Sequence, residues 1–376
     1  MRRREILKSM AASLMLAAAP RLALSASMQR QATVGAAWRG PRSTDPYFAG
    51  VLVADWEALT LTIRYAVPLP TRPHGLVAEP DGGLTVCGVR PGDWILRCDG
   101  DGRVVRQVRL DDEGESRLAG HAIVSADGER LYTTETDYAD GRGRIGVRDR
   151  ASLKKIDEWA THGIDPHQLL PDGRGALVVA NGGVPRTRED KKVDLQRMDS
   201  SLVRLDAGSG RLLGQWRLED PRLSLRHMAW NRDPAEAGAL LGLAMQAEHG
   251  AAGERAAAPI LAVFDGDRLS VPTRANDGVG YSGDIAPADR GGFVLSSNQA
   301  GLAQWWHPAS PDQLVPVVRM KEAYALAPWQ DDDAVGGVLV ATALGLGRWH
   351  PAAKPILIPW PQPMALDNHW IMISQA

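Results

Sequence analysis

Cysteine is scarce: two among 376 residues. Neither sits in a C-x-x-C pair, which rules out the usual thiolate zinc site, and without C-x-x-C-H there is no covalent c-type haem. An excess of one charge is also missing, since 43 Lys and Arg face 45 Asp and Glu. With no long basic block and no basic–aromatic stripe, the chain points away from nucleic acid as a partner. After Ala26 no apolar run reaches the length of a membrane-spanning helix. G-x-S-x-G and H-E-x-x-H are both absent, so no linear signature of serine or zinc hydrolysis is available. What the chain does have is turn residues, 39 Gly and 25 Pro, in scattered DG, PG and GG dipeptides. Many short strands fit this better than long helices. With Leu and Val plentiful, the length suits two ordinary domains or one large all-β body.

The first residues read as an address rather than a fold. "MRRREILKSM" is a charged start, "AASLMLAAA" a short apolar stretch and "PRLALSASM" a small-residue exit, the layout of an export signal. Arg3-Arg4-Glu5-Ile6-Leu7-Lys8 resembles the twin-arginine pattern, and Arg21 after the apolar run fits that route; an ordinary secretory signal is the alternative. The expectation is a signal over 1–26, cleaved after Ser25 or Ala26, and a periplasmic mature domain over 27–376. The periplasm permits disulfides. A hairpin centred between Gly92 and Asp93 would set Cys87 opposite Cys98 and allow a bridge. A one-residue slip would turn the two side chains to opposite faces.

The strongest internal signal is repetition. "PHGLVAEPDGGLTVCGVR", "GHAIVSADGERLYTTETD" and "PHQLLPDGRGALVVANGG" share a histidine just ahead of strand–turn–strand, and "RHMAWNRDPAEAGALLGLAMQ" is a looser copy. His74, His121, His167 and His227 are thus 47, 46 and 60 residues apart. The charged insertion at 181–200 accounts for the longest interval, and the Ala/Gly stretch 248–258 is a second surface excursion. Further starts fall near Tyr281 and Ala323, and one near Ala32 is expected to open the seventh unit. Seven units of this period predict a seven-bladed β-propeller of four-stranded blades, closed by a late strand at 367–373. In that fold the first strand of each unit lines the central channel, so the four histidines converge at one mouth.

"RPHGL", "GHAIVSADGERLYTTETD", "GRIGVRD", "GIDPHQL", "VANGG", "LSLRHMA", "GYSGDIA" and "DNHW" together resemble domain-of-unknown-function family 1513. The resemblance covers nearly the whole mature chain. It implies an exported β-propeller, mostly sent by the twin-arginine route, with genes beside imelysin-like periplasmic iron-binding proteins and a di-haem oxidoreductase-like protein. It therefore implies an accessory role in iron acquisition or handling. Two departures stand out. "ANGG" runs into "PRTRED", losing a histidine common at that point, and Asp284 replaces a more usual serine.

Neutral imidazole is the commonest ligand of first-row transition metals, so His74, His121, His167 and His227 form the candidate metal set, for iron, copper or zinc. Structural pinning of the inner strands is the competing reading. Arg72 and Arg226 precede motif histidines and could hold a carboxylate or phosphate, or pair with acids such as Asp284 and Glu135. Asp284 and His369 complete the candidate ligand-binding residues. His249 is expected to be solvated, His307 and His350 to serve turns at an equivalent outer position, and Asn181 to be structural. Three functions follow: a periplasmic ligand- or metal-binding propeller, a metal-dependent hydrolase, lyase or oxidoreductase at the same mouth, or a protein-binding scaffold. The missing nucleophile–base motif leans against an enzyme.

Overall fold

The computed structural model describes residues 31–331 and 334–373, so the expected export signal lies outside the described residues. Seven four-stranded antiparallel sheets form the seven-bladed propeller. The innermost strands of blades 1 to 7 are Pro73–Ala78, Ser116–Val124, Pro166–Pro171, Leu223–Trp230, Asp284–Ala288, Leu326–Asp331 and Ala365–Met372. Each packs against the next and the last against the first, which closes the ring. Among the described residues the one α-helix, Ala252–Ala257, is too short to cross a membrane.

The core is not central. Successive side chains of a strand point to opposite faces, so each blade feeds the joints on both sides of it. In the strand Tyr47–Asp55, Val51 packs into the joint with blade 1 and Leu52 into the joint with blade 6. Seven hydrophobic clusters result, one per joint. Large fully buried rings such as Trp38, Trp94 and Trp329 wedge them, each aromatic removing some 150–250 Å² from water. The tryptophans therefore serve mainly as packing.

Blade 7 corrects one expectation. The segment after Ala32 is not an inner strand: Gln31–Arg39 is the second strand of its blade, pairing outward with Tyr47–Asp55 and inward with Ala365–Met372. The first and last described strands share this blade, with the inner position given to the later one. Its edge and that of Gln31–Arg39 are thereby paired, which removes two exposed edges.

The cysteines correct a second. Cys87 lies opposite Ile95 and Cys98 opposite Leu84, a register three residues away from the one that would face them. An odd shift sends the side chains to opposite faces. Cys87 accordingly packs toward blade 2 and Cys98 toward blade 7; both are free thiols.

Candidate metal centre

The inner strands do more than carry histidines; they bend at them. Strand pairing breaks register between Pro73 and Leu76, Leu118 and Ala122, Pro166 and Leu169, and Leu225 and Met228. In blade 7, Leu366 and Trp370 flank a matching break. Each break brackets one histidine: His74, His121, His167, His227 or His369. A bulge re-aims the side chain it holds. Here the five bulges bring five rings together.

The convergence is tight. His74, His121, His167 and His227 each offer one ligand atom, and these atoms lie within 4.8 Å of one another. His167 Nε2 and His227 Nε2 are 2.8 Å apart. Metal–nitrogen bonds of about 2.0–2.1 Å place tetrahedral donors about 3.3 Å apart, so small side-chain adjustments bring the set onto one ion. All four rings are at most 6% exposed. The backbone is held too: Thr134 Oγ1 donates to the His167 carbonyl at 2.9 Å and accepts from the His121 amide at 3.3 Å. Gln168 Oε1 accepts from the Met228 amide and ties blade 3 to blade 4.

Electrostatics keep the rings neutral. Burial, then neighbouring imidazoles and guanidinium groups, holds all four far below the ordinary histidine value of 6.5. For His74 the neighbours are His369, His121, His227 and Arg90. For His227 they include Arg226, with the Gly283 backbone acting weakly in the opposite sense. Neutral rings have lone pairs to give. His74 Nδ1, His121 Nε2, His167 Nδ1 and His227 Nδ1 are buried without a hydrogen-bond partner. Leaving a buried polar atom unsatisfied costs on the order of 1–3 kcal/mol, which simple pinning of strands does not explain.

On one side of the cluster the channel widens into a cavity of about 320 Å³, lined by His121, Asp284, His369 and the residues that follow them. On the other lies a charged mouth. Asp165 Oδ1 accepts from Arg90 Nη1 at 3.0 Å and Arg186 Nε at 3.1 Å, and Oδ2 stands 3.1 Å from Arg226 Nη1. Burial pushes the Asp165 carboxyl up, but Arg226, Arg90 and Arg186 together hold it below the usual range. Arg226 is fully buried and none of its nitrogens has a well-directed hydrogen bond. Burial, against the pull of Asp165, lowers it to about 10, so it stays charged at neutral pH.

The other singled-out residues fall as follows. Arg72 makes a two-pronged pair with Asp367, Nε to Oδ2 at 2.8 Å and Nη2 to Oδ1 at 3.0 Å. Asp284 opens the inner strand of blade 5 at the histidine level and accepts from the Ile285 and Leu326 amides, both at 2.9 Å. Glu135 is bonded by Arg148 and Lys155, so the acids that meet Arg72 and Arg226 are Asp367 and Asp165. His249, expected in solvent, is half-buried, with Nε2 2.9 Å from Asp220. His307 and His350 behave alike as expected: each Nδ1 accepts an amide two residues on, at 3.0 Å. Asn181 is structural, donating to the Thr161 carbonyl at 2.9 Å.

Sequence reasoning passed over Arg90, Arg186 and Asp165. Asp165 had a visible signal, an aspartate two residues ahead of a motif histidine in "DPH", repeated by Asp367 in "DNH". The arginines had none. Arg90 follows the second strand of blade 1, and Arg186 lies in the 181–200 insertion, which with the 248–258 excursion rims this mouth through a Lys192–Glu248 ion pair.

A seven-bladed propeller with one end of its channel packed by buried imidazoles is the class of protein these features define. Residues 67–373 match the family described as "Protein of unknown function (DUF1513)", and the chain belongs to that family. Solved structures share the fold at low identity. Kuenenia stuttgartiensis hydrazine synthase matches at TM-score 0.60 and 14% identity, over 84% of this chain and 95% of that one. A hypothetical selenium-binding protein from Sulfolobus tokodaii matches at TM-score 0.59 and 14% identity, over 91% of each chain. Virginiamycin B lyase from Staphylococcus aureus matches at TM-score 0.54 and 11% identity, over 77% and 85%. No curated protein sequence matches.

Proposed function

We propose that the protein binds a transition-metal ion in its channel through His74, His121, His167 and His227. The observation that carries this is a set of four buried, neutral imidazoles whose donor atoms lie within 4.8 Å of one another. An imidazole set accepts copper, zinc, iron or nickel, with affinity rising toward copper. The accessory role in iron acquisition, with imelysin-type partners, follows from the family resemblance and requires iron to be the ion carried. Export to the periplasm by the twin-arginine route belongs to the same reading, and substituting Arg3 and Arg4 by lysine should block it.

Arg226 is the better placed of the two arginines for an anion that accompanies the metal. Its nitrogens make no well-directed hydrogen bond although Asp165 stands 3.1 Å away. Beside the self-neutralising Lys192–Glu248 pair, the mouth holds three guanidinium groups, Arg90, Arg186 and Arg226, against two carboxylates, Asp165 and Asp190. A second reading, a metal-dependent enzyme, is favoured by the cavity beside His121 and His369, which is large enough for a small substrate. The test is equilibrium binding of Fe(II) under anaerobic conditions, Cu(II) and Zn(II) to metal-free protein. One ion per chain is expected, lost when the four histidines are replaced by alanine. Failure of all three ions to bind would end the reading.

A further inference from the structure

We propose that His369 is a fifth metal donor, oriented by Asp284, and that metal occupancy is thereby coupled to closure of the ring. This rests on the metal reading above and deepens it.

The ring of His369 lies within the cluster, its centroid 4.3 Å from His227, 4.6 Å from His74 and 5.0 Å from His121. Its two nitrogens face different surroundings. Nδ1 points toward Asp284 Oδ1 at 3.7 Å, whereas Nε2 is buried without a hydrogen-bond partner. Asp284 cannot readily swing away, because the Ile285 and Leu326 amides hold its two oxygens at 2.9 Å. At 3.7 Å the pair is short of a hydrogen bond; a small shift of the ring onto an ion would close it, hold the proton on Nδ1 and leave Nε2 free to ligate. Asp284 is on this account a positioning residue.

The chain position of His369 gives the arrangement its consequence. His74, His121, His167 and His227 lie in consecutive blades of one continuous stretch. His369 instead sits on Ala365–Met372, the C-terminal strand, which completes blade 7 by pairing with Gln31–Arg39. An ion held by all five rings ties that last strand to blades 1 through 4. A ligand that binds only the closed form stabilises it in proportion to its affinity. Metal binding and closure of the ring therefore favour each other.

The experiment titrates Cu(II) into metal-free wild type, His369→Ala, Asp284→Asn and, as a control, His350→Ala. Affinity is read by chelator competition, the copper spectrum by electron paramagnetic resonance, and closure by hydrogen exchange in Gln31–Arg39. Asp284→Asn should weaken binding about 10–100-fold, the range typical of an outer-shell partner, and His369→Ala by more. Both should change the spectrum, and copper should slow exchange in Gln31–Arg39 in wild type but not in His369→Ala. His350→Ala should match wild type throughout. If His369→Ala fails to fold, Asp284→Asn, which keeps the imidazole, still decides. Wild-type affinity, spectrum and exchange in the His369 or Asp284 variant would overturn the proposal and leave the four-histidine reading standing. No copper on wild type would overturn this proposal, and failure of Fe(II) and Zn(II) as well would end the four-histidine reading with it.

Discussion

His167 Nε2 and His227 Nε2 meet at 2.8 Å across the joint between blades 3 and 4, sixty residues apart in the chain. Two imidazoles at that distance share one proton or one metal ion; both cannot carry a proton on the facing nitrogen. The contact therefore depends on pH.

The direction follows from linkage. All four rings have folded-state values held below the 6.5 of the unfolded chain. Below that pH the unfolded chain takes up protons the folded one refuses. The stability is fully present above pH 6.5 and is lost as pH falls below it. Rings that take up no proton in the folded state lose at most about 1 kcal/mol each, about 4 kcal/mol for the four, between pH 6.5 and 5.5. Urea unfolding of the metal-free protein at pH 7.5, 6.5 and 5.5 measures this, and the variant lacking the four histidines should show a flatter profile. Equal profiles would contradict the burial of neutral rings.

Gly120 shapes the cluster from the backbone. Its φ is +112°, and a Cβ there would lie 2.6 Å from His74 Cδ2. Gly82 also has a positive φ, +83°, but a Cβ there meets nothing within 4 Å. Gly82→Ala should cost about 1 kcal/mol of backbone strain. Gly120→Ala should cost about 1–3 kcal/mol more from overpacking and weaken metal binding by displacing His74. Comparing the two variants by chemical unfolding and metal titration isolates the His74 contact.

Blade 2 holds a buried ion network away from the channel. Arg148 Nη2 lies 2.7 Å from both Glu135 Oε1 and Glu113 Oε2, and Lys155 Nζ lies 2.7 Å from Glu135 Oε2. Arg148 and Glu135 are both fully buried. Glu135→Ala leaves Arg148 with reduced compensation and should destabilise by about 3–5 kcal/mol. Chemical unfolding measures this, and metal stoichiometry in the folded protein should not change.

The thiols give a simple check of register. Burial pushes the Cys87 thiol up to about 12, and burial also raises Cys98. Native protein should react with neither equivalent of a thiol reagent at neutral pH, and denatured, unreduced protein with two. A shortfall after denaturation would reveal a disulfide and contradict the pairing of Cys87 with Ile95.

The repeat was legible because the inner strands of blades 1 to 4 are each announced by a histidine and a turn. The closing blade was not, because its inner strand comes from the far end of the chain and the apolar pattern after Ala32 suits a second strand as well as a first. That misplacement also hid the rank of His369, which is the inner-strand histidine of blade 7. The hairpin register after Cys87 escaped for a tertiary reason: Gly92 exchanges backbone hydrogen bonds, both at 2.9 Å, with Leu118 of blade 2, drawing the loop toward its neighbour. The guanidinium cluster at the mouth joins Arg90, Asp165, Arg186 and Arg226 across three blades, with only Asp165 marked by a local motif.

The central claim is that the imidazoles of His74, His121, His167 and His227 hold a transition-metal ion. Metal content by mass spectrometry on the folded protein tests it most directly, with the variant lacking all four histidines alongside. One ion per wild-type chain, and none in a folded variant, is the predicted result. An equal metal content in the two proteins, or none in either after reloading with iron, copper and zinc, would contradict it.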